Sequence, residues 1–357
     1  MMLKQLAALL LLLALPAHAL SIAMVLWRGE TAAEAGFREE LLRLGYQPTF
    51  TTFDAAQDRA TLAAMLRQQI EPKLASYDYI YTFGTTATAM TKSLLADRKP
   101  LIFSVVSDPA GAGFLAKDKN LNKMVAGTSN MVPMALQLAN ASKYLPAGKR
   151  LLVPFNPREQ NTRLVTDMLI SEARRYDWQV VPWRIAPDPK RLDSELKRLQ
   201  QDASNDIVFL AADSYLLSIA PRLLSTLNDA GIPTICSAEL FVQHGCTVGT
   251  ISSYKLLGKM AADIIHLNQQ GIPLQDIALK FDANPKLVLG PSVNYAKAGN
   301  NRARPTNPLM EIPARQVPVG YDVGFRIRGA SHEYHRILCR AAGSPAPCQL
   351  ECPCQNR

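Results

Sequence analysis

The residues able to do chemistry in this 357-residue chain stand where short apolar runs end. Phe83 is followed by Gly84-Thr85-Thr86-Ala87-Thr88. A glycine for a tight turn, then hydroxyls and the free N–H groups of a helix start, suit a carboxylate or another anion, with Thr85 and Thr86 as candidate ligands; an ordinary N-cap would read the same way. Val106 is followed by Ser107-Asp108-Pro109, a turn starter whose Ser107 and Asp108 are also candidates. Phe155 leads into Asn156-Pro157-Arg158-Glu159, which offers Asn156 and Glu159. Leu210 leads into Ala211-Ala212-Asp213, where an acid at the end of a buried strand can hold an ammonium group or cap the next helix. The first run ends in Trp27-Arg28-Gly29-Glu30: Trp27 supplies a flat apolar wall and Glu30 a further acid.

No G-x-S-x-G, Walker loop, H-E-x-x-H or G-x-G-x-x-G occurs. His18, His244, His266, His332 and His335 are scattered, and no Cys/His set in the body has zinc spacing. Cys348-x3-Cys352-x-Cys354 is compact enough for a soft metal but lies in a basic, Pro-rich terminus. Asp108, Glu159 and Asp213 could serve an exported hydrolase as acid–base groups, but no nucleophile or metal set accompanies them. The pattern favours a binder that uses no cofactor over an enzyme.

The elements that must position these residues alternate. Strands are expected at 22–26, 47–53, 79–83, 101–106, 150–155, 179–183, 206–210, 233–236 and 247–251. Helices are expected at 32–44, 59–74, 86–95, 133–144, 161–176, 192–201, 219–230 and 254–270. Strands separated by helices at this spacing mean βαβ units and parallel sheets. The pattern runs twice, which predicts an α/β protein of two Rossmann-like lobes, with the strand C-termini of both facing one cleft. The expected boundaries are 20–130 plus 252–298 for lobe 1 and 131–251 for lobe 2. An extended 279–289 returns to lobe 1, so the chain crosses between lobes more than once, as a hinge for closure on a small ligand.

Composition agrees with a folded, soluble body: 48% of residues are hydrophobic and 19% charged. The net charge of +9 does not form a basic stripe, because residues 296–357 alone hold nine Lys/Arg against four Asp/Glu. Nucleic acid is therefore not the natural partner. Residues 1–19 read as a signal peptide: Lys4, an apolar run from Leu6 to Leu15, then Ala17-His18-Ala19. Export to a bacterial periplasm follows, with the mature chain starting near Leu20. Cys236 and Cys246 could close one short disulfide loop there. Residues 299–357 are a basic, Cys- and Pro-rich tail without periodicity.

Several segments together resemble the ABC transporter substrate-binding proteins related to the tryptophan/tyrosine-type binders. They are Glu34-Ala35-Gly36-Phe37, Phe83-Gly84-Thr85-Thr86-Ala87, Phe103–Pro109, Val125–Asn130, Phe155–Asn161, Gly245–Gly249 and Tyr254–Gly258. The resemblance implies a type I periplasmic-binding-protein fold and a monomeric receptor that hands a small solute to an ABC permease. For an aromatic amino acid it implies a carboxylate on Thr85 and Thr86, an ammonium on Asp213 and Trp27 as the wall. The same fold can also serve as a sensory receptor for a signalling partner.

Overall fold

A computed structural model describes residues 19–95, 97–114, 123–290 and 310–312. The signal segment before Ala19 and the tail cysteines lie outside the described residues, as do most of residues 299–357. The chain builds two sheets. The first contains β1 (Ala19–Leu26), β2 (Gln47–Asp54), β3 (Tyr79–Phe83), β4 (Leu101–Val106), β5 (Val125–Ser129) and β11 (Lys280–Phe281), in the order β11-β5-β4-β3-β1-β2. The second contains β6 (Arg150–Phe155), β7 (Gln179–Arg184), β8 (Ile207–Leu210), β9 (Thr234–Cys236), β10 (Val248–Ile251), β12 (Lys286–Leu289) and β13 (Met310–Ile312), in the order β13-β12-β10-β9-β8-β6-β7. Pairings are parallel except β10–β12 and β12–β13. This is the predicted two-lobe α/β architecture.

Each sheet is covered on both faces, which is why its central strands read as unbroken apolar runs. In β1, Leu20, Ile22, Met24 and Leu26 face one core and Ala23 and Val25 the other. In the second sheet, Leu152, Val208 and Leu210 face one core and Leu151, Val153, Ile207 and Phe209 the other. The first core of lobe 1 is sealed by helices α1 (Ala32–Arg43) and α10 (Tyr254–Gln269). Their approach depends on two glycines. A Cβ on Gly258 would stand 1.8 Å from the Ala33 carbonyl oxygen, and one on Gly36 2.2 Å from that of Lys255. α1 starts in a capping box in which Thr31 and Glu34 satisfy each other's backbone N–H groups. The buried Glu34 also accepts from Tyr81 Oη at 2.7 Å, and burial raises its carboxyl pKa.

Two expectations are corrected, and one strand is added. The single helix expected over 59–74 is α2 (Arg59–Met65) followed by a π turn (Leu66–Ile70) and a 3-10 segment (Glu71–Ser76), because Pro72 has no N–H to continue the ladder. The segment 279–289 does not return whole to lobe 1: β11 pairs with β5, but β12 pairs antiparallel with β10 in the second sheet. Leu287 and Leu289 then fill one core of lobe 2 and Val288 the other. The polar-looking Val125–Ser129 is a fully buried strand beside β4. Its Gly127 is obligatory there, since a Cβ would sit 2.2 Å from Phe103 O.

The chain passes between the sheets three times: after Ser129, at Ser252-Ser253, and at 282–285. The three passages are tied together. Ser252 Oγ donates to Asn130 O at 3.4 Å, and the Ser253 N–H donates to Asp282 Oδ2 at 3.0 Å. Cys236 and Cys246 are joined in a disulfide with Cα atoms 6.3 Å apart.

Candidate functional site

The parallel strands of both sheets end at one gap, and the loops leaving them build it. From the first lobe come Trp27 and Arg28 after β1, Phe83, Gly84, Thr85 and Thr86 around the end of β3, and Val105 and Ser107 at the end of β4. From the second come Glu159 before helix α5 (Gln160–Ala173), and Ala212, Ser214 and Leu217 in and before helix α7 (Ser214–Ser218). Asn130 and Tyr254, on two of the passages between the lobes, close the sides. The gap contains about 380 Å³ of space between atoms, counted to its solvent-open mouth.

The first-lobe wall is aromatic and cationic. The Arg28 guanidinium lies over the Phe83 ring at 5.4 Å, and Phe83 meets Tyr254 edge-on with centroids 6.2 Å apart. The buried Trp27 Nε1–H has no hydrogen-bond partner in the protein. Gly84, at φ 85°, makes the turn that starts helix α3 (Thr85–Leu95), so the free N–H groups of that helix open into the gap beside Thr85 and Thr86. Val105 holds φ 57°, a left-handed conformation that costs a β-branched residue about 1–3 kcal/mol. The register of β4 against β5 shifts at this point, and the strained residue lines the gap.

The second-lobe wall carries an acid. Glu159 is buried and accepts from the Ser214 N–H at 3.0 Å and the Tyr215 N–H at 3.3 Å. Burial first, and the Asp213 charge second, push its pKa up to about 8. Asp213 is the N-cap of α7 and fully buried. Its Oδ1 accepts from the N–H groups of Tyr215 and Leu216 at 2.9 and 3.1 Å, and its Oδ2 from that of Asn156 at 2.9 Å.

The expected site residues thus divide. Trp27, Thr85, Thr86, Ser107 and Glu159 come together at the gap. Asp213 does not line it: its oxygens are turned into the protein, where they fasten the turn after β8 to the turn after β6. Asn156 is part of that turn, with its Oδ1 accepting from the Arg158 N–H. Asp108 accepts from the Gly111 N–H at 2.8 Å and shapes its own turn. Glu30 is exposed on the outside of lobe 1, paired with Arg38. Arg28, Asn130 and Tyr254 were not among the expected ligands. Arg28 and Asn130 each follow a strand, so the strand-end rule contains them; Tyr254 arrives on a helix that returns from the other lobe. No group of three or more potential metal ligands occurs among the described residues.

Residues 22–297 match the family model of the ABC transporter substrate binding proteins. The chain belongs to that family. This substrate-binding protein is 24% identical over 249 residues to the tyrosine-binding protein of Clostridioides difficile (strain R20291), covering 69% of this chain and 70% of that one. Among solved structures it resembles an ABC domain from Streptococcus pneumonia in complex with L-Trp, with TM-score 0.67 and 19% identity, covering 75% of this chain and 92% of that one. It also resembles a conserved domain protein from Vibrio cholerae, with TM-score 0.69 and 19% identity, covering 78% and 97%. At these identities the structures share the fold.

Proposed function

We propose that this substrate-binding protein is an exported, non-catalytic receptor that captures a zwitterionic amino acid between its lobes and delivers it to an ABC permease. One observation carries the reading: groups of opposite charge preference face each other across the same gap. Arg28, Thr85, Thr86 and the start of α3 suit a carboxylate, and Glu159 in the other wall suits an ammonium group. The role first expected of Asp213 passes to Glu159, whose carboxylate lines the gap. Trp27, Phe83 and Tyr254 supply apolar walls. The signal-like residues 1–19 and the Cys236–Cys246 disulfide support an oxidising, extracytoplasmic location. The relatives that bind tyrosine and tryptophan make aromatic amino acids the first to try.

The test is a thermal-shift panel of the twenty amino acids, nucleosides and organic acids on the purified mature chain. A ligand at a hundred times its Kd adds about 2.7 kcal/mol of stability, which moves Tm by several degrees. A response to one or more amino acids is expected. No response to any amino acid, or a response confined to nucleosides or organic acids, overturns the reading.

A further inference from the structure

The strained Val105 stands where β4 changes the face it presents to the gap. As far as Phe103 the strand alternates regularly: Leu101 and Phe103 face one core of lobe 1, and Ile102 faces the other, which α1 and α10 seal. Beyond it the alternation slips by one residue. Val105 packs on the side of Ile102, and Val106 returns to the core of Phe103. The pairing with β5 gives the cause. Phe103 stands opposite Gly127 and Val106 opposite Ser129, so two residues, Ser104 and Val105, share the single partner Thr128. That is a β-bulge, a feature seldom found in parallel pairs. In an unbroken strand Val105 and Ser107 would turn into the core of Phe103 and Val106 would face the gap. With the bulge, Val105 and Ser107 line the gap and Val106 is buried.

Thr128 holds this arrangement from behind. Its Oγ1 accepts from the Val105 N–H at 3.4 Å and lies 3.3 Å from Ser104 Oγ. Past the bulge, Ser129 Oγ donates to Ser107 O at 3.3 Å, which fastens the strand end. Thr128 is fully buried and forms no part of the gap's lining. A β-branched residue at φ 57° is a steric outlier, and such outliers persist where the surrounding structure imposes them.

We infer that Val105 and Thr128 are positioning residues for ligand capture: the bulge they form aims the Ser107 hydroxyl into the gap, where it hydrogen-bonds the captured amino acid. The inference rests on the amino-acid reading of the gap and adds to it one contact and the backbone feature that supports it. Thr128 acts on the ligand only through Ser107, so its effect on affinity and that of Ser107 are one effect.

The experiment is a double-mutant cycle read by calorimetry on the mature chain. The titrant is L-tyrosine, or whichever of the twenty amino acids gives the larger thermal shift. Ser107→Ala should weaken binding about three- to tenfold, the worth of one neutral hydrogen bond. Thr128→Val, equal in shape but without the acceptor, should weaken it by a similar factor, whereas Thr128→Ser keeps the hydroxyl and should stay within about threefold of the wild type. The double variant S107A/T128V should bind within about twofold of S107A alone. Independent losses that multiply in the double variant, or wild-type affinity in T128V, overturn the inference while leaving an amino-acid receptor standing. Should T128V fail to fold, S107A decides, because its side chain is only half-buried: unchanged affinity there overturns the inference. A wild type that binds no amino acid overturns the amino-acid reading and this inference with it.

Discussion

Replacing Glu159 by Gln should move stability and affinity in opposite directions. The wild-type carboxyl has a pKa of about 8 in the folded chain against 4.5 for the free side chain, because it is buried beside Asp213. A group whose folded pKa is raised contributes its stability fully below the unfolded value and loses it as pH rises through the folded value. The loss therefore develops between pH 4.5 and about 8. At 1.36 kcal/mol per pKa unit the full shift corresponds to about 4–5 kcal/mol, an upper figure for a carboxyl that shares its surroundings with a second acid. Gln has an oxygen to accept from the Ser214 N–H but no charge to bury. In urea melts of the ligand-free protein, E159Q should match the wild type at pH 5 and exceed it by a few kcal/mol at pH 9. The same variant loses a charge-assisted hydrogen bond to the ligand ammonium, worth about 1.5–3 kcal/mol, or ten- to more than a hundredfold in Kd. Calorimetry at pH 8 measures that loss. A variant with unchanged affinity, or one that is less stable than the wild type at pH 9, would refute the reasoning.

The same carboxyl predicts that ligand affinity rises with pH. An ammonium group stabilises the ionised form, so binding below about pH 8 should release a proton, and Kd should fall by up to about tenfold per pH unit well below pH 8 and level off above it. Titrations in buffers of different ionisation enthalpy would reveal it; a heat independent of buffer would contradict it. Asp213→Ala strands the Asn156 and Leu216 N–H groups, leaves that of Tyr215 with Glu159 alone, and should cost about 2 kcal/mol or more in stability without weakening binding by the folded fraction. Loss of affinity at wild-type stability would place Asp213 on the ligand instead. Gly258→Ala forces a methyl into the Ala33 carbonyl and should lower stability by about 3 kcal/mol or more in a denaturant melt, whereas a wild-type midpoint would deny the close helix crossing. Cys236→Ala with Cys246→Ala opens a short loop and should cost about 2–3 kcal/mol, with added reductant then having no further effect on the melt.

The alternation of strands and helices was legible because strands buried on both faces leave continuous apolar runs, as in Tyr79–Phe83 and Leu101–Val106. The site's location followed from the same topology, since strand C-termini supply the ligands in sheets of this kind. Which of two neighbouring acids faces the gap was not legible. Glu159 and Asp213 both follow strands, and the choice is made by backbone N–H groups that turn Asp213 inward, a contact with no periodicity behind it. The destination of 286–289 was hidden for a related reason: alternating apolar residues specify two faces but not which sheet edge they join. The buried strand Val125–Ser129 escapes a hydrophobicity reading because it is built of small and hydroxyl residues, of which Gly127 is dictated by the backbone of Phe103 beside it.

The central claim is that one amino acid lies across the gap with its charges divided between the lobes. A crystal structure of the mature chain grown with L-tyrosine tests it most directly. The account predicts the ammonium nitrogen within hydrogen-bond distance of Glu159 and the carboxylate against Thr85, Thr86 and Arg28. A tyrosine bound in the opposite sense, with its carboxylate toward Glu159, or held outside the gap altogether, would contradict it.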